Sequence, residues 1–228
     1  MARMRTLHHW PLDPASRQAR LAMAEKDLAF ELEAWKFWEA PEGLTALNPS
    51  GLPPVLVDDA PGGRVTVCEA RAILEYLEEI KPEPALLPGG PADRAEARRI
   101  AHWFDRKFDA EVSAFLLHEK LEKRVQGLGA PDMEAIREGR DFLRWHLDYV
   151  EKLLEVRDGL AGPRFTLADL AAAAHLSCID YLGDVPWDSY PAAKAWYERI
   201  KCRPSFRPLL ADRLPGMPPA NGYQDLDF

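Results

Sequence analysis

The feature that most limits what this chain can fold into is a change of hydrophobic period at residues 81–91. That stretch holds four prolines and two glycines, and punctuation of this kind between patterned segments reads as a linker. Before it, short strand-length apolar runs alternate with helical ones. After it the strand patterns stop and each patterned segment repeats at helical spacing. The expected architecture is a small α/β domain over residues 1–81, an all-helical domain over 92–211 and a C-terminal extension over 212–228. A length of 228 residues is enough for two modest cores.

Within the first part, residues 6–9 can form a strand, and 16–26 carry helical periodicity through Ala19, Leu21, Ala22 and Met23. Residues 30–34 offer a second strand. Val55, Leu56 and Val57 face Val65, Thr66 and Val67 as the arms of a hairpin around the turn-rich residues 58–64. A helix over 69–79 places Ile73, Leu74 and Leu77 on one side. The order is therefore βαβ, an irregular stretch, then ββα.

Beyond the linker, residues 92–125 form one long helical pattern in which Ile100, Phe104, Phe108, Val112 and Leu116 recur at i+4. A second pattern over 132–157 turns Leu143, Leu147, Val150 and Leu154 inward. Two long helices with a short connection lie antiparallel and start a bundle. Thr166 and Asp169 have the spacing of a capping box, with Phe165 and Leu170 placed as a hydrophobic staple. This is a folding element with no chemical role. A helix over 192–201 follows, and residues 215–228 show no helical period.

Composition narrows the functional classes. A net charge of −8 leaves no basic stripe for phosphates, so nucleic acid is not the expected partner. No apolar run approaches a membrane span, and residues 1–10 lack the apolar core of a secretory signal, so the expected location is the cytoplasm. Cys68, Cys178 and Cys202 are an odd, scattered set, which fits buried thiols better than disulfides or zinc. His102 and His146 can meet in the bundle, but two ligands do not make a metal site. Of His8 and His9, at the end of the first strand, one is expected to face outward.

Several motifs in order resemble the glutathione transferase superfamily. They are Pro11-Leu12-Asp13-Pro14-Ala15-Ser16-Arg17, Asn48-Pro49-Ser50-Gly51-Leu52-Pro53-Pro54, Glu69-Ala70-Arg71-Ala72-Ile73, the Thr166/Asp169 box and Arg203-Pro204-Ser205-Phe206. The resemblance implies a thioredoxin-like N-terminal domain on a helical C-terminal domain, usually as a homodimer. It also implies a glutathione site, whose three parts depart from the family pattern here. Where the family places a Tyr, Ser or Cys to favour a thiolate, this chain has Asp13. A carboxylate cannot donate a hydrogen bond, and it repels a thiolate by up to about 4 kcal/mol at 4 Å with an effective dielectric near 20. Ser16 is the substitute on offer, as a thiol activator or simply as a cap. The residue before the family's cis-proline, here Pro54, is Pro53, which has no N–H for the ligand backbone. The acidic–hydroxyl pair that holds the γ-glutamyl end is Glu69 with Ala70, so one donor is missing.

Other stretches resemble the FtsZ-localised cell-division branch of that superfamily in alphaproteobacteria: His8 to Pro14 in sequence, residues 103–109, 115–124 and 175–187, and the terminal Asp225-Leu226-Asp227-Phe228. This implies a homodimeric, non-catalytic adaptor on FtsZ filaments at the division site, with no cofactor, no metal and no membrane insertion. A second division protein is a candidate partner for the tail. On the residues themselves, Trp35, Phe37 and Trp38 are anchor candidates in the irregular segment. Leu116, His118 and Glu119 on the charged end of the long helix, and Arg140 as an exposed charge, are candidates for the partner face. Leu226, Asp227 and Phe228 read as a short docking motif. The alternatives are an active glutathione transferase with an atypical thiol-activating site, and a scaffold for some other protein.

Overall fold

The computed structural model describes residues 4–226. They divide into two compact units, one ending at Leu86 and the other beginning at Leu87.

The first unit opens with β1 (Arg5–His9), α1 (Pro14–Glu25) and β2 (Glu31–Ala34). β1 and β2 pair in parallel, Leu7 opposite Leu32, because α1 carries the chain back to the same end of the sheet. After a short helix α2 (Glu42–Leu47), β3 (Val55–Ala60) and β4 (Gly63–Cys68) form an antiparallel hairpin, and α3 (Ala70–Ile80) closes the unit. Sheet order is β2-β1-β3-β4, with β1 and β3 antiparallel. This is the βαβ–ββα plan expected of a thioredoxin-like domain, with the hairpin turn tighter than the sequence suggested. β2 is exposed along its length and carries Glu31 and Glu33, charges that discourage a foreign strand from pairing with an open edge.

Apolar faces of α1 and α3 fill the core: Ala19, Ala22, Met23, Ile73 and Leu77 are fully buried. Lys26, just past α1, is also fully buried. Its ammonium donates to the carbonyls of Lys81 (2.7 Å) and Pro84 (3.0 Å) and pairs with Glu78 (2.6 Å). Three acceptors use all three of its protons, so the first half of the proline-rich stretch is pinned to the α/β unit.

In the second unit one helical rod runs over residues 91–126. It is not plain α-helix. α4 (Pro91–His102) passes into a π-helical segment (Trp103–Ser113), then α5 (Ala114–Leu117), a second π segment (His118–Glu122) and α6 (Lys123–Gln126). The i+4 spacing of Ile100, Phe104, Phe108, Val112 and Leu116 explains the departure. On a 3.6-residue turn each such step drifts by about 40° around the axis. Wider i→i+5 turns take up that drift, and all five side chains are fully buried.

α7 (Met133–Leu154) packs beside the rod. Gly139 permits the approach, since a Cβ there would lie 2.7 Å from Phe115 Cβ. α8 (Leu167–Tyr181) is buried on every side, which suits its alanine-rich sequence. α9 (Pro191–Lys201) and the short α10 (Arg207–Leu210) complete the unit. The described part of the extension is folded back. Tyr181 Oη donates to Met217 O (2.6 Å) and accepts from Leu214 N (3.2 Å), and Tyr223 sits edge-on to Tyr181 at 5.2 Å.

Candidate functional site

At the start of α1 the backbone of Asp13 is extended and its side chain caps the helix. Asp13 Oδ2 accepts from the Ser16 amide (2.7 Å) and from Ser16 Oγ (2.5 Å). Ser16 Oγ in turn accepts from the Trp10 amide at 3.1 Å, and Ser16 is fully buried. A hydroxyl carries one proton, and this one is given to the carboxylate. That proton is thus directed at Asp13, and of the two roles open to Ser16, thiol activator or cap, its contacts are those of the cap. The carboxylate also complements the partial positive charge of the helix start, where an anionic ligand would otherwise be favoured.

The Pro53–Pro54 bond is cis, and the Pro54 carbonyl accepts from the Glu69 amide at 3.2 Å. Glu69 occupies φ 71° and ψ 134° without capping α3. That backbone is strained for a residue with a Cβ, and strain of this kind clusters at ligand sites. Its carboxylate is exposed and accepts at 3.4 Å from both Asn48 Nδ2 and Ser50 Oγ. Ala70, first in α3 and buried, offers no hydroxyl. The cis bond and the strained Glu69 are in place, while Pro53 has no N–H and Ala70 no hydroxyl to offer.

His8 and His9 are both buried, against the expectation that one faces out. Trp35 Nε1 donates to His8 Nδ1 at 2.9 Å, so that nitrogen carries no proton. Burial lowers the His8 pKa, and Glu33, 3.4 Å from the same nitrogen, opposes that shift. Trp35 lies over Gly43, where a Cβ would come within 2.5 Å of the indole. Trp38 is half-buried, edge-on to Trp10 (4.7 Å) and to Phe37 (5.2 Å). The aromatic cluster is packed on itself and still partly open.

On the second unit three expected partner-facing residues need correction. Leu116 is fully buried, because it belongs to the rod's inward stripe. Glu119 is also buried; it accepts from the Asp132 amide (2.6 Å) and pairs with Lys123 (2.6 Å), fastening the rod to the start of α7. Arg140 is not a loose surface charge. Its Nε and an Nη donate to Asp184 Oδ1 at 2.8 and 2.6 Å, while Lys120 binds the other oxygen of that buried carboxylate and the Leu182 carbonyl. His118, part-exposed, meets Glu122 at 2.9 Å. Leu226 is half-buried; Asp227 and Phe228 lie outside the described residues.

The hub at Asp184 was not singled out in the sequence. An isolated acid after a helix gives no periodic signal, and its two cations come from positions 120 and 140. His146 does not meet His102. Its Nδ1 accepts from Trp103 Nε1 (3.0 Å) and its Nε2 faces Glu111 (3.0 Å). Among the described residues no group of metal-ligating side chains is assembled, and no helix is long and apolar enough to cross a membrane.

Two family models match the chain: the glutathione S-transferase N-terminal domain over residues 14–80 and the C-terminal domain over residues 117–204. FtsZ-localized protein A of Caulobacter vibrioides is 61% identical over 224 residues, 98% of either chain. The solved structure of FzlA from C. crescentus superposes with a TM-score of 0.97 at 61% identity, over 99% of this chain and 100% of that one. A structure described as a glutathione S-transferase from Rhodospirillum rubrum F11 gives 0.95 at 50% identity, with the same coverage.

Proposed function

The chain belongs to the glutathione S-transferase family, and from that premise we propose that it is a non-catalytic adaptor that binds FtsZ filaments in cell division. It works as a homodimer in the cytoplasm at the division site. The partner assignment rests on 61% identity to a protein named for its localisation with FtsZ. The non-catalytic assignment rests on one observation: the single proton of Ser16 is committed to Asp13. With Pro53 lacking an N–H and Ala70 lacking a hydroxyl, all three parts of the glutathione site have lost a donor.

On the first unit, partly open Trp38 and Phe37 are the residues offered to the filament; on the second, part-exposed His118 and the half-buried Arg140 are separate candidates. Leu226 follows a segment held by Tyr181 and Tyr223, and the sequence Leu226-Asp227-Phe228 suits a docking motif for a second division protein.

Sedimentation with polymerised FtsZ tests the reading. The protein is expected in the pellet, and Trp38→Ala is expected to weaken that capture several-fold; absence of the wild type from the pellet removes the division role. Conjugation of glutathione to a standard electrophile is expected to stay at the background rate. The second reading, an active transferase, is favoured by the Rhodospirillum structure's description; turnover that disappears in Ser16→Ala would establish it.

A further inference from the structure

The described residues of the C-terminal extension, 212–226, form no helix or strand. Their bonds to one another close short turns, Met217 N to Leu214 O (3.1 Å), Tyr223 N to Ala220 O (3.2 Å) and Asp225 N to Gly222 O (2.9 Å). Such a segment takes its place from partners outside itself. Tyr181, the last residue of α8, takes three of its residues at once. Its hydroxyl donates to Met217 O (2.6 Å) and accepts from Leu214 N (3.2 Å), and its carbonyl accepts from Ala220 N (2.9 Å). Leu214, Met217 and Tyr223 are buried, and Tyr223 Oη and Gln224 Nε2 donate to the carbonyls of Leu209 (3.2 Å) and Leu210 (3.1 Å) in α10. The extension is a strap, and Tyr181 is its latch.

The residues directly after the latch belong to the hub at Asp184. Lys120 of the rod donates to Leu182 O (3.1 Å) and to one Asp184 oxygen, and Arg140 of α7 donates twice to the other. Gly183, between them, lies against the strap, since a Cβ there would come 2.9 Å from Ala220 Cβ. Arg124, one turn beyond Lys120 on the rod, donates to Gly216 O of the strap at 2.6 Å. Four consecutive residues, 181–184, thus carry the strap through one set of contacts and the cations of the rod and α7 through another.

Exposure gives this joint a direction. The Arg140 side chain is 40% exposed, while that of Asp184 is 1% exposed. An acidic side chain on a bound filament can therefore reach the guanidinium from solvent, and Asp184 stays enclosed. A buried carboxylate stripped of one of its two cations is strongly destabilised, so the turn that carries it must shift toward water. Gly183 and Tyr181 shift with it, and the strap loses its hold. The geometry points to a relay in which an acidic group that draws Arg140 off Asp184 unlatches the strap and frees the tail that follows it. Occupation of one end then favours occupation of the other. The inference rests on the adaptor reading for what binds at either end, and adds how one end signals to the other.

Hydrogen exchange of the full chain without FtsZ tests the relay by itself, while sedimentation judges the adaptor reading. Arg140→Gln imitates the withdrawn guanidinium. It is expected to speed exchange over residues 212–223 at least about fivefold, with the buried amides of α8 and of the first unit at their wild-type rates. Adding Asp184→Asn removes the charge left unpaired, and is expected to return strap exchange toward the wild-type rate. Tyr181→Phe opens the latch directly and is expected to speed the same segment. A strap that responds to Tyr181→Phe and not to Arg140→Gln overturns the relay. So does a rise in Arg140→Gln that spreads equally through the helical unit, the mark of an ion pair that only stabilises the fold, or one that the double variant leaves uncorrected. A strap unmoved by Tyr181→Phe overturns the latch, and the relay with it.

Discussion

Two helices of this chain begin on the same pair of side-chain types in opposite order. At α8 the hydroxyl comes first and the acid three residues later, Thr166 then Asp169; at α1 the acid comes first and the hydroxyl three residues later, Asp13 then Ser16. Asp169 is buried and accepts four hydrogen bonds, from Leu160 N (2.9 Å), Thr166 N (2.9 Å), Thr166 Oγ1 (3.1 Å) and Trp196 Nε1 (2.9 Å). Its donors come from well-separated segments, so it ties the preceding loop and α9 to α8. Burial pushes its carboxyl pKa up and those donors pull it back. Asp13 is half-buried, and the bonds from Ser16 close within three residues. The same two functional groups thus serve as a tertiary anchor in one place and a local cap in the other.

That contrast makes Asp169→Ala the most damaging change. It leaves buried donors unpaired and should cost about 3–5 kcal/mol in urea denaturation; a loss below about 1 kcal/mol would abolish the distinction between the two helix starts. Next comes pH. Burial first of all, with Lys107 and His175 adding to it, lowers the His146 pKa to about 4 against the pull of Glu111. The folded state therefore prefers the neutral ring. Its contribution is complete above the unfolded value of about 6.5 and is lost as pH falls from there toward 4, by up to about 3 kcal/mol. His146→Gln should flatten wild-type stability across that window, so the two caps are best compared above pH 7.

Asp13→Ala should cost only about 1 kcal/mol, the usual worth of a helix cap. Its chemical effect is larger than its structural one. Asp13→Ser removes the charge and restores a donor, and retention on immobilised glutathione should rise at least tenfold; no change would mean that Pro53 and Ala70 alone decide binding. Ser16→Ala should have a comparable cost, about 0.5–1.5 kcal/mol for a buried hydroxyl, and the smallest effect of all on chemistry: no change in background glutathione turnover, because that proton is directed at Asp13.

Much of the fold was legible because it repeats. The strand pattern of Leu56 and Val57, the inward stripe of Leu143, Leu147 and Val150, and the Thr166/Asp169 box each report a local rule. The long rod shows where such reading stops: its i+4 run announced a helix but not the π turns that keep Phe104 and Leu116 on one side. Leu116 fits both the inward stripe and the charged end of the helix by its position in the sequence, and its complete burial makes it core. Glu119 and Arg140 look like surface charges in a charged stretch. Only the chain folding Asp132 and Asp184 against them turned them into fasteners.

The sequence by itself determined that an α/β unit precedes a helical one, that a carboxylate, Asp13, stands just before the first helix, that Pro53 has no N–H and that Ala70 has no hydroxyl. Those facts follow from residue identity and spacing, which no neighbour can alter. The tertiary structure alone decided where the Ser16 proton goes, that His8 and His9 are both enclosed, and that Trp103 and Trp145 stack across 42 positions of chain. Hydrogen-bond allegiance and ring contact depend on which groups folding brings within a few ångströms, and a pattern along the chain carries no information about that distance.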